Sequence, residues 1–203
     1  MAEGLNGLNG ATVQSIRGNI IYDHRDQEFA PSKGFFAKLT LARNFLTDID
    51  DPELIDDFNS LSLDVRQYFS DPSQKLVGLL RGGLELKSES DIPFYELSAL
   101  GGPMNMRAYD FERFLGQHAA FGSAEVRYTL ATIPILGYPM SIEGGVFLDV
   151  GQVFGDGESF GDELNVDPGF TFRMINKPNV GLVLNYAFGE DGGYITGGIA
   201  LPL

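Results

Sequence analysis

Two residues carry most of the chemistry this sequence offers: Arg107, in the stretch FYELSALGGPMNMRAYDFERF (94–114), and Asp149, in GGVFLDVGQVF (144–154). A guanidinium keeps its charge inside a protein and presents a planar fork that a carboxylate can accept through two parallel bonds. Asp149 is one candidate acceptor, and Glu125 in AEVRY is another. Phe147 lies two residues before Asp149, on the same face of an alternating strand, where it can cover the pair or stack on the guanidinium. Such a constellation makes no bonds and breaks none; it clamps a loop to a wall. The plain alternative is a solvated arginine and a strand-end carboxylate, because exposed pairs are common and weak.

Catalytic patterns are weaker. Gly157-Glu158-Ser159-Phe160-Gly161 fits a G-x-S-x-G elbow by letter, but it sits in an acidic loop and not at a strand-to-helix turn. The two histidines, His24 and His118, lie far apart without metal-ligand spacing. No calcium-loop spacing occurs among the acids. The sequence therefore points to no enzyme, no cofactor and no metal site.

The elements that position the clamp read as strands. Phe35, Ala37, Leu39 and Leu41 alternate with Lys38 and Thr40; Leu61, Leu63 and Val65 with Asp64 and Arg66; Leu80, Leu84 and Leu86 with Arg81, Glu85 and Lys87. After the long stretch 88–117 come Val126, Tyr128 and Leu130 against Ser123, Glu125 and Arg127, then Val146, Leu148 and Val150 against Glu143, Phe147 and Asp149. Phe170 and Phe172 oppose Thr171 and Arg173, Leu184 and Tyr186 oppose Asn185, and Ile195 and Ile199 oppose Thr196. This gives about eight good strands and no convincing helix. Thr12–Asp23 is a weaker strand, HRDQEFAPSKG (24–34) a turn, and residues 1–11 a Gly-rich flexible segment preceding a domain over 12–203.

Connection lengths alternate. Asp71–Gln74 and Asn176–Asn179 are tight, whereas Leu46–Asp57, Ser88–Gln117 and Gly155–Asn165 are long and mostly acidic. Transmembrane barrels sort their loops by side in this way. A soluble β-sandwich also alternates, with its apolar face as core, and it remains an alternative as a binding module. Composition decides some points. With 28 acids against 14 bases and a net charge of −14, nucleic acid is excluded as a partner class. Without cysteine there is no disulfide or thiolate site. No run approaches the roughly 18 apolar residues of a membrane-spanning helix. Met1-Ala2-Glu3-Gly4 lacks the basic start and apolar stretch of a signal peptide.

The loop and the strands after it resemble the outer-membrane assembly and translocation superfamily, the bacterial surface antigen family. Its hallmark is an Arg-Gly-Phe/Tyr tip on a long loop folded into the barrel lumen, facing a Phe-x-Asp-x-Gly strand. Here the tip is Arg107-Ala108-Tyr109, the strand supplies Phe147, Asp149 and Gly151, and Glu125 matches an acidic position on the strand between. The segments FYELSALGG and RDQEFAPSKG match as well. Ala108 departs from the family's glycine, and the chain ends in Ala200-Leu201-Pro202-Leu203 without an aromatic terminus.

The resemblance implies an outer-membrane β-barrel working in insertion or translocation of proteins or lipids. Its expected partners are membrane lipid, lipopolysaccharide and client outer-membrane proteins. Family barrels have about sixteen strands and follow POTRA modules, which are not visible here. A barrel of about eight strands has too narrow an interior for loop 88–117. The expectation is therefore a homodimer, two half-barrels making about sixteen strands, with excision from a longer barrel as the rival. Thr12–Asp23 is then expected at the periplasmic mouth rather than in the wall. A passive pore or structural scaffold is the alternative to client handling.

Overall fold

The computed structural model describes residues 12–47, 57–155, 157, 159–176, 180–190 and 192–200. The segment 1–11, the acidic run 48–56, the turn 177–179 and the terminus 201–203 lie outside them, so the expectations for those stretches stay as the sequence left them.

The chain forms β1 (Thr12–Asp23), β2 (Gly34–Thr47), β3 (Phe58–Ser70), β4 (Leu76–Lys87), β5 (Ser98–Leu100), β6 (Phe114–Gly116), β7 (His118–Ile135), β8 (Tyr138–Phe154), β9 (Asn165–Asn176), β10 (Val180–Gly189) and β11 (Gly192–Ala200). Nine of them make one antiparallel sheet in the order β1-β2-β3-β4-β7-β8-β9-β10-β11, while β5 and β6 pair with each other inside loop 88–117.

Two expectations need correction. Among the described residues the main sheet has nine strands, not about eight, because Thr12–Asp23 is paired with β2 along its whole length, from Thr12↔Thr47 to Asp23↔Phe36. It belongs to the wall and not to the mouth. Its pattern is weak for a physical reason: it is an edge strand with neither face well covered, so both Ile20 and Ile21 are exposed and no strict alternation is required of it. The sheet is also open, with β1 and β11 as its edges among the described residues. The described residues of one chain do not close into a barrel, and the dimeric one is not tested by a single chain.

Side chains sort inside out. Leu130, Val146, Phe170 and Ile195 are 64, 54, 56 and 73% exposed on one face, while Arg127, Glu143 and Asp149 on the other are at most 4% exposed. A β-sandwich buries its apolar face against a second sheet; here the polar face is covered and the apolar face is open, so that alternative fails. A hydrocarbon solvent is the environment that suits such an exterior. β7 and β8, at 18 and 17 residues, exceed the roughly 9–11 residues a bilayer crossing needs.

Loops sort largely as expected. The connections 48–57, 88–117 and 155–164 leave one end of the sheet, and the short turns 71–75 and 136–137 leave the other. Two connections depart from this: the β10–β11 link is short although it leaves the long-loop end, with Gly189 paired to Gly192, and 24–33, at the short-turn end, is long. The latter does not turn tightly but folds over the polar face: Phe29 and Ala30 share a buried cluster with Ile175 of β9, and the Pro31 carbonyl accepts from Arg127 Nη2 of β7 at 2.9 Å. A ten-residue segment can span that distance only if the sheet curves with its polar face concave.

Candidate functional site: a loop tip clamped into the concave wall

Loop 88–117 enters over the N-terminal strands and ends on the C-terminal ones. At its root Ile92 is buried with Leu46 of β2 and Phe58 of β3, and Leu97 and Val13 pack beside them. Midway, Arg81 Nη1 donates to the Met104 carbonyl. The turn that delivers the tip depends on glycine. Gly101 and Gly102 have φ of +128° and +94°, and a Cβ on Gly101 would stand 2.1 Å from the Asp110 carbonyl oxygen. Asn105 holds the turn from within, its Oδ1 accepting from the Gly101 and Met106 backbone N–H groups at 2.9 and 2.8 Å.

Arg107 then reaches the wall. Its Nε and Nη2 donate to the two Asp149 oxygens at 2.8 and 2.7 Å, the bidentate fork. Nη1 donates to Glu125 Oε2 at 2.6 Å, and Nη2 also donates to Ser123 Oγ at 3.0 Å. The Arg107 backbone N–H points at Asp149 as well, at 3.3 Å. Ser123 Oγ in turn donates to Asp149 Oδ1 at 2.6 Å. The question of which carboxylate takes the arginine is thus answered by both, with Asp149 as the fork partner. Burial alone would lower the Arg107 pKa; the hydrogen bonds and charge of Asp149, with those of Glu125, outweigh it and raise it.

The aromatic position does two jobs. The Phe147 ring lies 3.4 Å from the guanidinium carbon, a stacked cation–π contact. Behind it, Phe147 faces Gly169 across β8–β9, where a Cβ would stand 2.3 Å from the ring. Gly169 gives the ring its seat, and the ring gives the guanidinium its platform.

Around the charges sits an apolar cluster of Leu100, Met106, Ala108, Tyr109, Ala119, Phe147 and Ala187, with Phe114 against it. Gly151 has a steric role here: a Cβ on it would stand 2.7 Å from the Met106 sulfur. Gly189 does the same beneath Ala108, whose Cβ lies 3.0 Å from where a Gly189 Cβ would be. Ala108 is not among the positive-φ residues, so an alanine in place of the family's glycine is accommodated. Tyr109 packs edge-on to Phe114 with centroids 4.7 Å apart, and its hydroxyl donates to Asn165 Oδ1 at 3.4 Å. The next residue, Asp110, accepts from the Tyr194 hydroxyl of the edge strand β11.

The structure therefore brings Arg107, Ala108, Tyr109, Glu125, Phe147, Asp149 and Gly151 into one patch. Sequence reasoning had not singled out Ser123, Met106, Gly169 or Tyr194. Ser123 was findable, since it shares the alternating face of Glu125; the others act through contacts that no local pattern announces. Glu125 also pairs with Arg127 at 3.2 Å, extending the network down β7. Among the described residues no group of three or more His, Cys, Asp or Glu is placed to hold a metal ion.

Comparison with known proteins adds the following. The family model described as the Omp85 superfamily domain matches residues 8–189. No curated protein matches the chain. Among solved structures, BamA from Haemophilus ducreyi lacking POTRA domains 1–3 is similar, with a TM-score of 0.69 at 16% identity, over 92% of this chain and 42% of that one. The chain thus spans less than half the length of that structure, and a likeness at this identity concerns the fold.

Proposed function

The chain belongs to the Omp85 superfamily, a family of the bacterial outer membrane, and from that footing we propose that it forms wall and internal brace of a barrel that inserts or translocates client proteins or lipids. The observation that carries the proposal is the buried arginine clamp. An open sheet has no covalent means of holding its curvature, and loop 88–117 touches β2 and β3 at its root and β7, β8 and β10 at its tip. Pinned at both ends, it fixes how far the two halves of the sheet can splay. Membrane lipid or lipopolysaccharide would face the apolar exterior, and clients would engage the lumen or an edge. The role needs no catalysis and no cofactor.

The edges also require partners, since unpaired backbone groups are not tolerated in hydrocarbon. We propose a second copy as that partner. Nine alternating strands leave β1 and β11 running the same way, so two copies in one orientation meet in parallel seams. Parallel pairing is slightly weaker than antiparallel, which makes each seam a soft point in an otherwise antiparallel wall. Mass measurement in mild detergent should give a dimer; monomer alone would remove the homodimer.

Liposome reconstitution tests the function. Accelerated insertion of an unfolded outer-membrane client, with little ion conductance, supports assembly or translocation. Conductance without any effect on client insertion supports a passive pore, a reading favoured by the polar concave face. Neither effect would leave a scaffold.

A further inference from the structure

The hairpin of β7 and β8 outruns its neighbours at the short-turn end. β4 stops pairing with β7 at Leu76↔Tyr128, and the Thr129 N–H makes the last bond there, donating to the Lys75 carbonyl at 2.8 Å. β7 and β8 go on pairing with each other as far as Ile135↔Tyr138. Among the described residues, Leu130 to Ile135 therefore have no β4 partner, and six residues at about 3.3 Å each project roughly 20 Å beyond that neighbour. On the other side β8 pairs with β9 only up to Ser141↔Ile175, where Asn176 Nδ2 adds a bond to the Pro139 carbonyl at 3.0 Å.

The projection carries no charge. Between Arg127 and Glu143 stand 15 uncharged residues in a chain that is 21% charged. The short turn beside it, by contrast, has Asp71 and Lys75. Register then decides which face is apolar. Simple alternation from Tyr128 would turn Thr132 and Pro134 outward and Ile133 and Ile135 inward. A bulge between Thr129 and Ala131, with Leu130 as the extra residue, reverses this. Beyond it Ala131, Ile133 and Ile135 stand opposite Ile142, Met140 and Tyr138, on the face that carries Val146 of the exterior. Thr132, Pro134, Pro139 and Ser141 take the other face. Ile133, Tyr138 and the tip residue Leu136 are exposed.

Two features narrow the choice of partner. The free β7 edge has unpaired backbone groups, which hydrocarbon does not tolerate, so the projection does not lie within the bilayer core. The same edge is a poor template for an added protein strand, because the bulge distorts it and Pro134 has no N–H to offer. What is left is a one-sided apolar face continuous with the hydrocarbon-facing exterior. Tyr128 and Tyr138 on it are of the residue type that suits a boundary with one apolar and one wet side. An uncharged stretch is also where a chain of net charge −14 can approach anionic head groups without repulsion.

We propose that hairpin 129–142 lies along the membrane surface at the short-turn end, with Ile133, Ile135, Tyr138 and Met140 set into the boundary between head groups and acyl chains and the free edge in water. Its partner is the lipid surface itself. The two strands it anchors, β7 and β8, are those that carry Ser123, Glu125, Phe147 and Asp149, so the lipid grips the wall where the loop tip is clamped to it. The inference rests on the wall standing in a membrane and not on client handling.

The chain has no tryptophan, so a single introduced one reports its own surroundings. Val146→Trp, Ile133→Trp and Thr132→Trp are each folded into vesicles of phosphatidylethanolamine and phosphatidylglycerol, with and without bromine on the acyl chains. Val146→Trp marks the bilayer-facing wall, and brominated lipid should quench it. Brominated lipid should also quench Ile133→Trp, and acrylamide should reach that residue roughly threefold less readily than Thr132→Trp, since an interfacial apolar face sits about 5–10 Å into the boundary and its opposite face does not. If V146W is quenched by brominated lipid while I133W is not, or if I133W and T132W are equally open to acrylamide, the hairpin stands in water and the proposal falls while the membrane wall stands. If V146W itself escapes brominated lipid, the wall is not in the bilayer and both readings fall.

Discussion

Replacing Arg107 by Met keeps the length and apolar bulk of the side chain and deletes its charge and donors. The losses can be counted from the wall: the fork to Asp149 at 2.8 and 2.7 Å, the bond to Glu125 at 2.6 Å, the bond to Ser123 at 3.0 Å, and the stack on Phe147. Removing one partner of a buried pair costs about 3–5 kcal/mol, mostly because the other charge stays behind. Here the stranded carboxylates keep some company. Asp149 retains the Ser123 hydroxyl and the residue-107 backbone N–H, and Glu125 retains Arg127. The low end, about 3 kcal/mol, therefore applies, which is roughly a 100-fold shift in the docking equilibrium of the loop. The strand pairings are untouched, so the effect should be local. Hydrogen exchange followed by mass spectrometry in detergent reads it directly. Peptides over 98–116 should exchange roughly 100-fold faster while those of β8 and β9 stay unchanged. Loop protection equal to wild type would refute the claim that charge holds the tip, and loss of protection across the whole sheet would refute the claim that the effect is confined to it.

Other perturbations separate the parts of the clamp. Gly151→Val places carbon against the Met106 sulfur and Leu100, and should lift the tip at a cost of about 1–3 kcal/mol, seen as faster protease cleavage within 101–116 with the strands intact. Gly101→Ala must bear a positive φ and a clash with the Asp110 carbonyl, so the same cleavage should accelerate although no charge is touched; unchanged cleavage would show the turn to be more compliant than its geometry implies. In the inner connection, burial alone would raise the Asp26 carboxyl, but hydrogen bonds from Ser32, Lys33 and Gln27 outweigh it and hold the pKa below the usual value. A lowered folded pKa means the stabilisation is complete above the unfolded value of about 4 and is lost as pH falls through the folded one. Protection of 24–33, the ratio of intrinsic to observed exchange at each pH, should therefore fall below about pH 4, and Asp26→Asn should show that loss already at pH 7; protection that does not change with pH would contradict the role of Asp26.

The alternation on β7 through β10 was plain in the sequence because those strands have one face against hydrocarbon and the other against buried charge, and each residue must choose. β1 was not, because an edge strand with a sparsely covered inner face makes no such demand, and Gly18 interrupts what pattern it has. That one strand matters beyond its size: counting it turns an even sheet into an odd one and changes any seam from antiparallel to parallel. Within the site, Arg107, Glu125 and Asp149 could be paired from residue type and face, but the fork and its Ser123 support are properties of distance. Residues 24–33 read as a turn because Pro31 and Gly34 are turn residues; their reach across the polar face comes from curvature, which belongs to the assembled sheet. Gly169 and Gly189 look like weak points in strands and are seats for Phe147 and for the tip.

The docked tip can be tested by a cross-link in the membrane itself. The chain has no cysteine, so Ala108→Cys combined with Gly189→Cys introduces one pair whose Cβ atoms lie near 3.0 Å, close enough for a disulfide after slight adjustment. In intact outer membranes under mild oxidation this pair should link within one chain, whereas Ala108→Cys with Leu136→Cys, at the opposite end of the wall, should not. A docked loop requires the first result; a pair that stays reduced in folded protein, or both pairs linking alike, would contradict it.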